Sequence, residues 1–184
     1  MVSTAETADS DAAIESETDA IALENTESNP VQANFNFWIN PATDLQIQIP
    51  GSFNTVNQTD NLSTFEHDNA QAAVRLRKIR LNAGQNTSLD VTARTAAALY
   101  PDVNFTGDAR SYPFGSRLIH ELTGTHRETG QQVTIQISHP SSNADRAWTT
   151  DDEALAIYSQ SNADDSTVSD DIIQLNAAIW SSFQ

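Results

Sequence analysis

The chain has 184 residues, no cysteine, 25 acidic against nine basic residues and a formal net charge of −16. That length suits one ordinary domain with a tail. The missing cysteine excludes a disulfide framework, a thiol nucleophile and thiolate metal sites, and the charge balance opposes non-specific nucleic-acid binding, which gains its affinity by neutralising phosphates. No segment offers the roughly 20 apolar residues that a membrane-spanning helix needs, so no membrane span is expected. A hydrophobic content of 38% suffices for one core.

Residues 1–33 hold eight acidic residues (Glu6, Asp9, Asp11, Glu15, Glu17, Asp19, Glu24, Glu27) and no basic or aromatic one. Such a segment cannot bury enough apolar surface to offset the entropy of ordering and is expected to be a disordered acidic tail. It serves either as a solvating spacer or as a docking arm for a basic partner. The start lacks the basic and apolar regions of a signal peptide. Two accounts stand side by side: a mature exported chain, with a signal or lipid anchor upstream of Met1, or a cytoplasmic protein with an acidic tail. The spacer-like composition favours an extracytoplasmic setting. Lys78 is the only lysine beside eight arginines, and an acidic, lysine-poor surface suits salty surroundings.

From residue 34 onward a single α+β domain is expected. Residues 35–39 form an aromatic run and residues 40–44 a turn. Leu45, Ile47 and Ile49 alternate with glutamines, which predicts a strand with those three inward and, with the aromatic run, an opening hairpin closed off by Pro50-Gly51. A strand is predicted at residues 63–67 and a second at residues 73–81. In the latter Val74 and Leu76 oppose Arg75 and Arg77, but Ile79 and Leu81 change phase, so a bulge or a strand end is expected. After a loop at residues 82–86, Ser88 is the expected N-cap of a helix over residues 89–100, with Leu89, Ala93, Ala96, Ala97 and Tyr100 on one stripe and Pro101 ending it.

Residues 117–125 and 132–139 read as an antiparallel hairpin around Glu128-Thr129-Gly130, with Leu118, His120 and Leu122 facing the core beside Val133, Ile135 and Ile137. A polar loop at residues 143–152 leads to a last strand at residues 153–159, for which a helix is the alternative. A loop at residues 162–169 follows. Ser169 then caps a final helix whose buried stripe is Ile172, Leu175, Ile179 and Phe183, with Asp170 and Asp171 at the positive end of its dipole. The order of elements implies an antiparallel β-sheet covered by helices.

The opening Asn40-Pro41-Ala42-Thr43-Asp44-Leu45-Gln46-Ile47-Gln48-Ile49-Pro50-Gly51-Ser52-Phe53 and the closing Ile172…Ile179-Trp180-Ser181-Ser182-Phe183 resemble the first hairpin and last helix of the PsbP/Mog-like superfamily. That group includes the LpqN/DcrB-like bacterial lipoproteins. The helix at Ser88 and the two strands after it fall in the matching order, so the resemblance covers about residues 34–184. It implies an α/β/α sandwich that binds, stabilises or escorts a protein partner, and it carries over no catalytic residue.

If Glu128 pairs with Gln131 in the hairpin, His120 faces His139, with Glu121 or Asp145 as the third ligand of a zinc site. If Arg127 pairs with Gly130, His120 faces Ile137 and the site dissolves. The simpler account is a hydrogen-bonded core histidine, and no metal is expected. His67 and Asp68 are strand neighbours and so point to opposite faces. No G-x-S-x-G elbow, phosphate-cradling glycine loop or EF-hand pattern occurs. The carboxylate pairs at residues 151–153, 164–165 and 170–171 read as solvated surface, with weak calcium binding as the alternative.

Arg75, Arg77, Lys78 and Arg80 are four of the nine basic residues within six positions. They form a candidate partner-binding patch for a carboxylate- or phosphate-bearing protein, unless Glu66, Asp68 or the tail neutralises them. The expected role is therefore a non-enzymatic, extracytoplasmic, monomeric accessory domain without cofactor. The alternatives are a cytoplasmic chaperone-like adaptor with an apolar groove near Phe35, Phe37 and Trp38, and a hydrolase in which His120 or His126 meets a serine and a carboxylate.

Overall fold

In the computed structural model, which describes residues 35–69, 71–80, 89–115, 117–138, 153–162 and 165–183, alternating side chains build nine strands and two helices. The acidic segment at residues 1–33, Ser88, the 82–86 and 143–152 loops and His139 lie outside the described residues. The opening hairpin pairs β1 (Phe35–Ile39) with β2 (Gln46–Pro50). Its turn is held by Asn40, whose carbonyl accepts from the Thr43 and Asp44 amides and whose side chain accepts from the Ala42 amide. Asp44 sits in the left-handed region at φ 54°. Leu45 belongs to this turn rather than to β2, so it is exposed, contrary to the inward position expected of it; Ile49 is buried and Ile47 half-buried.

The main sheet comprises β3 (Phe53–Thr59), β4 (Leu62–His67), β5 (Ala72–Arg80), β6 (Val103–Phe114), β7 (Arg117–His126), β8 (Gln132–Ser138) and β9 (Glu153–Ser161). Their spatial order is β3-β4-β5-β9-β8-β7-β6, and every neighbouring pair is antiparallel. Helix α1 (Leu89–Leu99) links β5 to β6, and α2 (Ser166–Ser181) follows β9. The expected α+β class holds, with residues 153–161 a strand.

Each face of the sheet is covered by a different helix. On one face Phe65, Val74, Leu76, Leu155 and Ile157 pack with Trp38 of the hairpin and with Leu175, Ile179 and Trp180 of α2. On the other, Ile79, Val133, Ile135, Ala154 and Tyr158 pack with Ala96 of α1. The central β9 is buried from residue 154 to residue 159, as a strand covered on both sides must be.

Of the two alternatives expected for β5, a bulge or a strand end, the second holds, since the strand runs to Arg80. No bulge occurs: pairing with β9 runs unbroken from Ala72↔Ser161 to Arg80↔Glu153. The apolar phase changes because Val74 and Leu76 serve the α2 layer while Ile79 serves the α1 layer.

Two strands had no sequence signal. Both β3 and β6 are edge strands, largely exposed and polar, and an edge position does not demand apolar alternation. Strand β6 carries an irregularity between Phe105 and Ala109, with Gly107 at φ 88°, and includes Pro113; bulges and prolines blunt a sheet edge against unwanted pairing.

The helix stripes differ in detail. On α1, Ala96 and Thr92 are buried and Ala97 is exposed. On α2, Ile172, Leu175 and Ile179 are buried as expected, with Phe183 just beyond the helix. The N-cap is Asp165 rather than Ser169: its carboxylate accepts from the Thr167 and Val168 amides at 3.1 and 3.2 Å.

Candidate functional site

Strand alternation divides the basic cluster of β5. Arg75 and Arg77 project from the α1 face, opposite Thr64 and Leu62 of β4, whereas Lys78 shares the face of Val74 and Leu76. Arg80 ends the strand. The structure thus brings Arg75 and Arg77 together and turns Lys78 away.

The two arginines flank an aromatic shelf. The Arg75 guanidinium lies 5.7 Å from the centroid of the Tyr158 ring, a cation–π contact. Tyr158 stacks on Tyr100 at 4.9 Å between centroids. Burial pushes the Tyr100 hydroxyl above its ordinary pKa, and the Arg77 guanidinium beside it offsets part of that rise. Burial likewise raises Tyr158, with Arg75 opposing and Tyr100 and Asp102 reinforcing. Arg75, Arg77, Tyr100, Thr64 and Leu62 line an open depression of about 360 Å³. Among the described residues neither arginine forms a salt bridge, with Glu66, Asp68 or any other acid.

The histidines are placed by the hairpin register. Strands β7 and β8 pair His120 with Ile137, the alternative that dissolves the zinc site. His120 is buried, as is Leu122, but Leu118 is exposed rather than inward. His120 Nδ1 lies 2.7 Å from Ser111 Oγ on β6. His67 Nε2 lies 3.3 Å from the Asp171 carboxylate, which also accepts from Ser52 Oγ at 2.5 Å. Asp171 thereby fastens the first turns of α2 to β4 and is only partly solvated. Among the described residues no group of three or more His, Asp or Glu side chains is placed to hold a metal ion.

A second concavity escaped the sequence reading. The register that pairs His120 with Ile137 sets Glu121 opposite Gln136. Glu121 is buried on the α2 face, accepts three hydrogen bonds and makes one further ion-pair contact. Its Oε1 takes Arg110 Nε and Nη2 at 2.8 and 2.6 Å. Its Oε2 takes the Tyr112 hydroxyl at 2.9 Å and Gln136 Nε2 at 3.0 Å. Both carboxylate oxygens of Glu121 are thus engaged by protein donors. Burial and the Glu121 charge hold the Tyr112 hydroxyl far above its ordinary pKa. This network floors a cleft of about 490 Å³ between α2 and strands β6 to β8.

On the hairpin, Phe35, Phe37 and Ile39 are exposed while Trp38 is buried at 1% exposure. The expected groove near Phe35, Phe37 and Trp38 is therefore an exposed stripe with Trp38 on its inner side. Among the described residues no helix is long and apolar enough to cross a membrane. Compared with known protein-family models and with curated proteins, the chain matches none.

Proposed function

We propose that the domain is a non-enzymatic accessory module of the PsbP/Mog-like type, acting outside the cytoplasm as a monomer and engaging a protein partner through Arg75 and Arg77. The observation that carries this reading is that two guanidinium groups stand side by side, without an acidic partner among the described residues, on a chain with 25 carboxylate side chains. Such a pair would otherwise attract a local carboxylate; left open beside an aromatic shelf, it suits a carboxylate- or phosphate-bearing segment of another protein. The layered arrangement of two helices around an antiparallel sheet is compatible with the PsbP/Mog-like resemblance.

The reading is tested by replacing both arginines, Arg75→Glu with Arg77→Glu, and capturing partners from an extracytoplasmic extract. A partner captured by the native protein and lost to the double variant supports it. An unchanged set of partners removes the patch.

One contact favours a second reading, a hydrolase: Ser111 Oγ and His120 Nδ1 stand 2.7 Å apart, the spacing of a nucleophile and its base. Against it, Ser111 lies within an extended edge strand rather than on the sharp turn that exposes a nucleophile. A fluorophosphonate probe separates the two. The binding-module reading expects no labelling, and labelling abolished by Ser111→Ala would replace it with an esterase-type activity.

A further inference from the structure

We infer that the cleft beneath α2 is a second binding site, for a small amphiphilic monocarboxylate whose apolar body lies along α2 and whose carboxylate meets Arg110. This site lies on the opposite face of the sheet from Arg75 and Arg77 and does not depend on the reading given to them.

The charge preference follows from how Arg110 is held. Its guanidinium gives Nε and one edge of Nη2 to Glu121, and lies 5.6 Å from the centroid of the Tyr112 ring. The remaining edge, Nη1 with the second Nη2 hydrogen, points away from this pair, and the side chain is 73% exposed. A planar fork fixed from behind by a carboxylate and from below by a ring loses little freedom when it grips a second carboxylate in bidentate fashion. Glu121 already balances the arginine charge, and Asp108 stands at the adjoining depression that shares Arg110, Glu121 and Thr123. What remains for a ligand is the unused guanidinium edge, which suits one carboxylate as acceptor, while Asp108 and Glu121 oppose a second negative charge.

The apolar preference follows from the floor. Tyr112 donates to Glu121 and accepts from Gln136, and Gln136 spends its carbonyl on the Trp180 indole N–H at 2.9 Å. Asn176 is bonded to Ser159 through both its amide nitrogen and its oxygen. These groups spend most of their hydrogen-bonding capacity on one another, so a ligand gains little by offering them polar atoms. The walls are Phe114, Ile172, Ile173 and Trp180. Ile173 is 64% exposed at the mouth, an apolar residue on the outer side of an otherwise amphipathic helix. A volume of about 490 Å³ falls within the range of small-molecule sites.

The test is a calorimetric titration of the full chain with 2-naphthoate, with 2-naphthamide and acetate as the neutral and the non-apolar probes. The expected result is saturable binding of naphthoate, and binding of naphthamide and acetate weaker by about tenfold or more, the loss of one charge-assisted contact or of the apolar body. Ile173→Asp places a negative charge at the mouth without touching the core and should weaken naphthoate by about tenfold; Ile173→Lys should not weaken it. Arg110→Gln should remove the preference for naphthoate over naphthamide. No saturable naphthoate binding at millimolar concentration overturns the proposal. So does naphthoate binding that Arg110→Gln and Ile173→Asp both leave unchanged, which would place the molecule elsewhere.

Discussion

The indole N–H of Trp180 donates to Gln136 Oε1 at 2.9 Å, and both side chains are buried. This single bond joins α2 to the polar network on strands β6 to β8, because Gln136 Nε2 reaches Glu121 and Tyr112. Trp180→Phe keeps most of the apolar burial but strands the Gln136 oxygen. Leaving one buried acceptor unsatisfied costs about 1–3 kcal/mol. Gln136→Leu should cost more, since it strands the Trp180 N–H and removes a donor from Glu121 together. Denaturant unfolding checks the order. A Trp180→Phe midpoint equal to that of the native chain would show that the bond contributes nothing.

The three tyrosines of the chain share one property. Tyr100, Tyr112 and Tyr158 are all held above the ordinary value of 10.0, chiefly by burial. The folded state therefore keeps phenolic protons that the unfolded chain has released. Stability from this source is fully present below pH 10 and is lost as the pH rises through and beyond it. Absorbance at 295 nm should show no tyrosinate step near pH 10 while the protein stays folded, and phenolate should appear together with alkaline unfolding. A normal step near pH 10 on intact protein would contradict the packing of the phenols.

How far these features were legible in the sequence depended on burial geometry. The strand at residues 132–138 and the stripe Ile172, Leu175, Ile179 announced themselves because the apolar residues of each fall on a single face, the other face of the strand being filled by Thr134, Gln136 and Ser138, which gives a simple period. Strand β5 left a bulge open as an alternative because both of its faces are covered, so Ile79 broke a pattern that the backbone does not break. Edge strands β3 and β6 were silent because polar residues suffice at an edge. The Glu121 network lay behind a single choice of register. Pairing Arg127 with Gly130 puts Glu121 against Gln136, but nothing local in the sequence selects that pairing over its neighbour. The partition of Arg75 and Arg77 from Lys78, by contrast, follows from alternation alone.

The start of α2 distinguishes two residues that sequence rules rank alike. Asp165 accepts from two amides of the first turn, whereas Ser169 Oγ donates back to the Asp165 carbonyl at 3.1 Å. Asp165→Ala should cost about 1 kcal/mol, the usual loss of an N-cap. Ser169→Ala should change stability by less than about 0.5 kcal/mol, as a half-buried hydroxyl with a redundant acceptor. Thermal unfolding of the two variants checks this. A larger loss from Ser169→Ala than from Asp165→Ala would move the cap back to residue 169.

Gly124 of β7, paired with Phe105 of β6, lies where a side chain has no room. A Cβ there would stand 2.7 Å from the Asn104 carbonyl oxygen and 2.8 Å from Val103 Cγ1. The first of these is backbone and cannot swing aside, and Val103 is itself packed in the α1-side core. Gly124→Ala must therefore push β6 away from β7 just before the irregularity at Phe105. Overpacking of this kind costs about 1–3 kcal/mol, and it outweighs the gain from restricting the unfolded chain, about 0.4–1 kcal/mol for a glycine replaced without strain. The net expectation is a lower unfolding midpoint, with faster amide exchange along Val103 to Phe105 than in the native chain. Gly130→Ala is a useful contrast. Nothing stands within 4 Å of its Cβ position, and its cost comes only from φ +71°, so exchange in β6 should stay as it is. Unaltered stability of Gly124→Ala would mean that β6 and β7 lie farther apart than described.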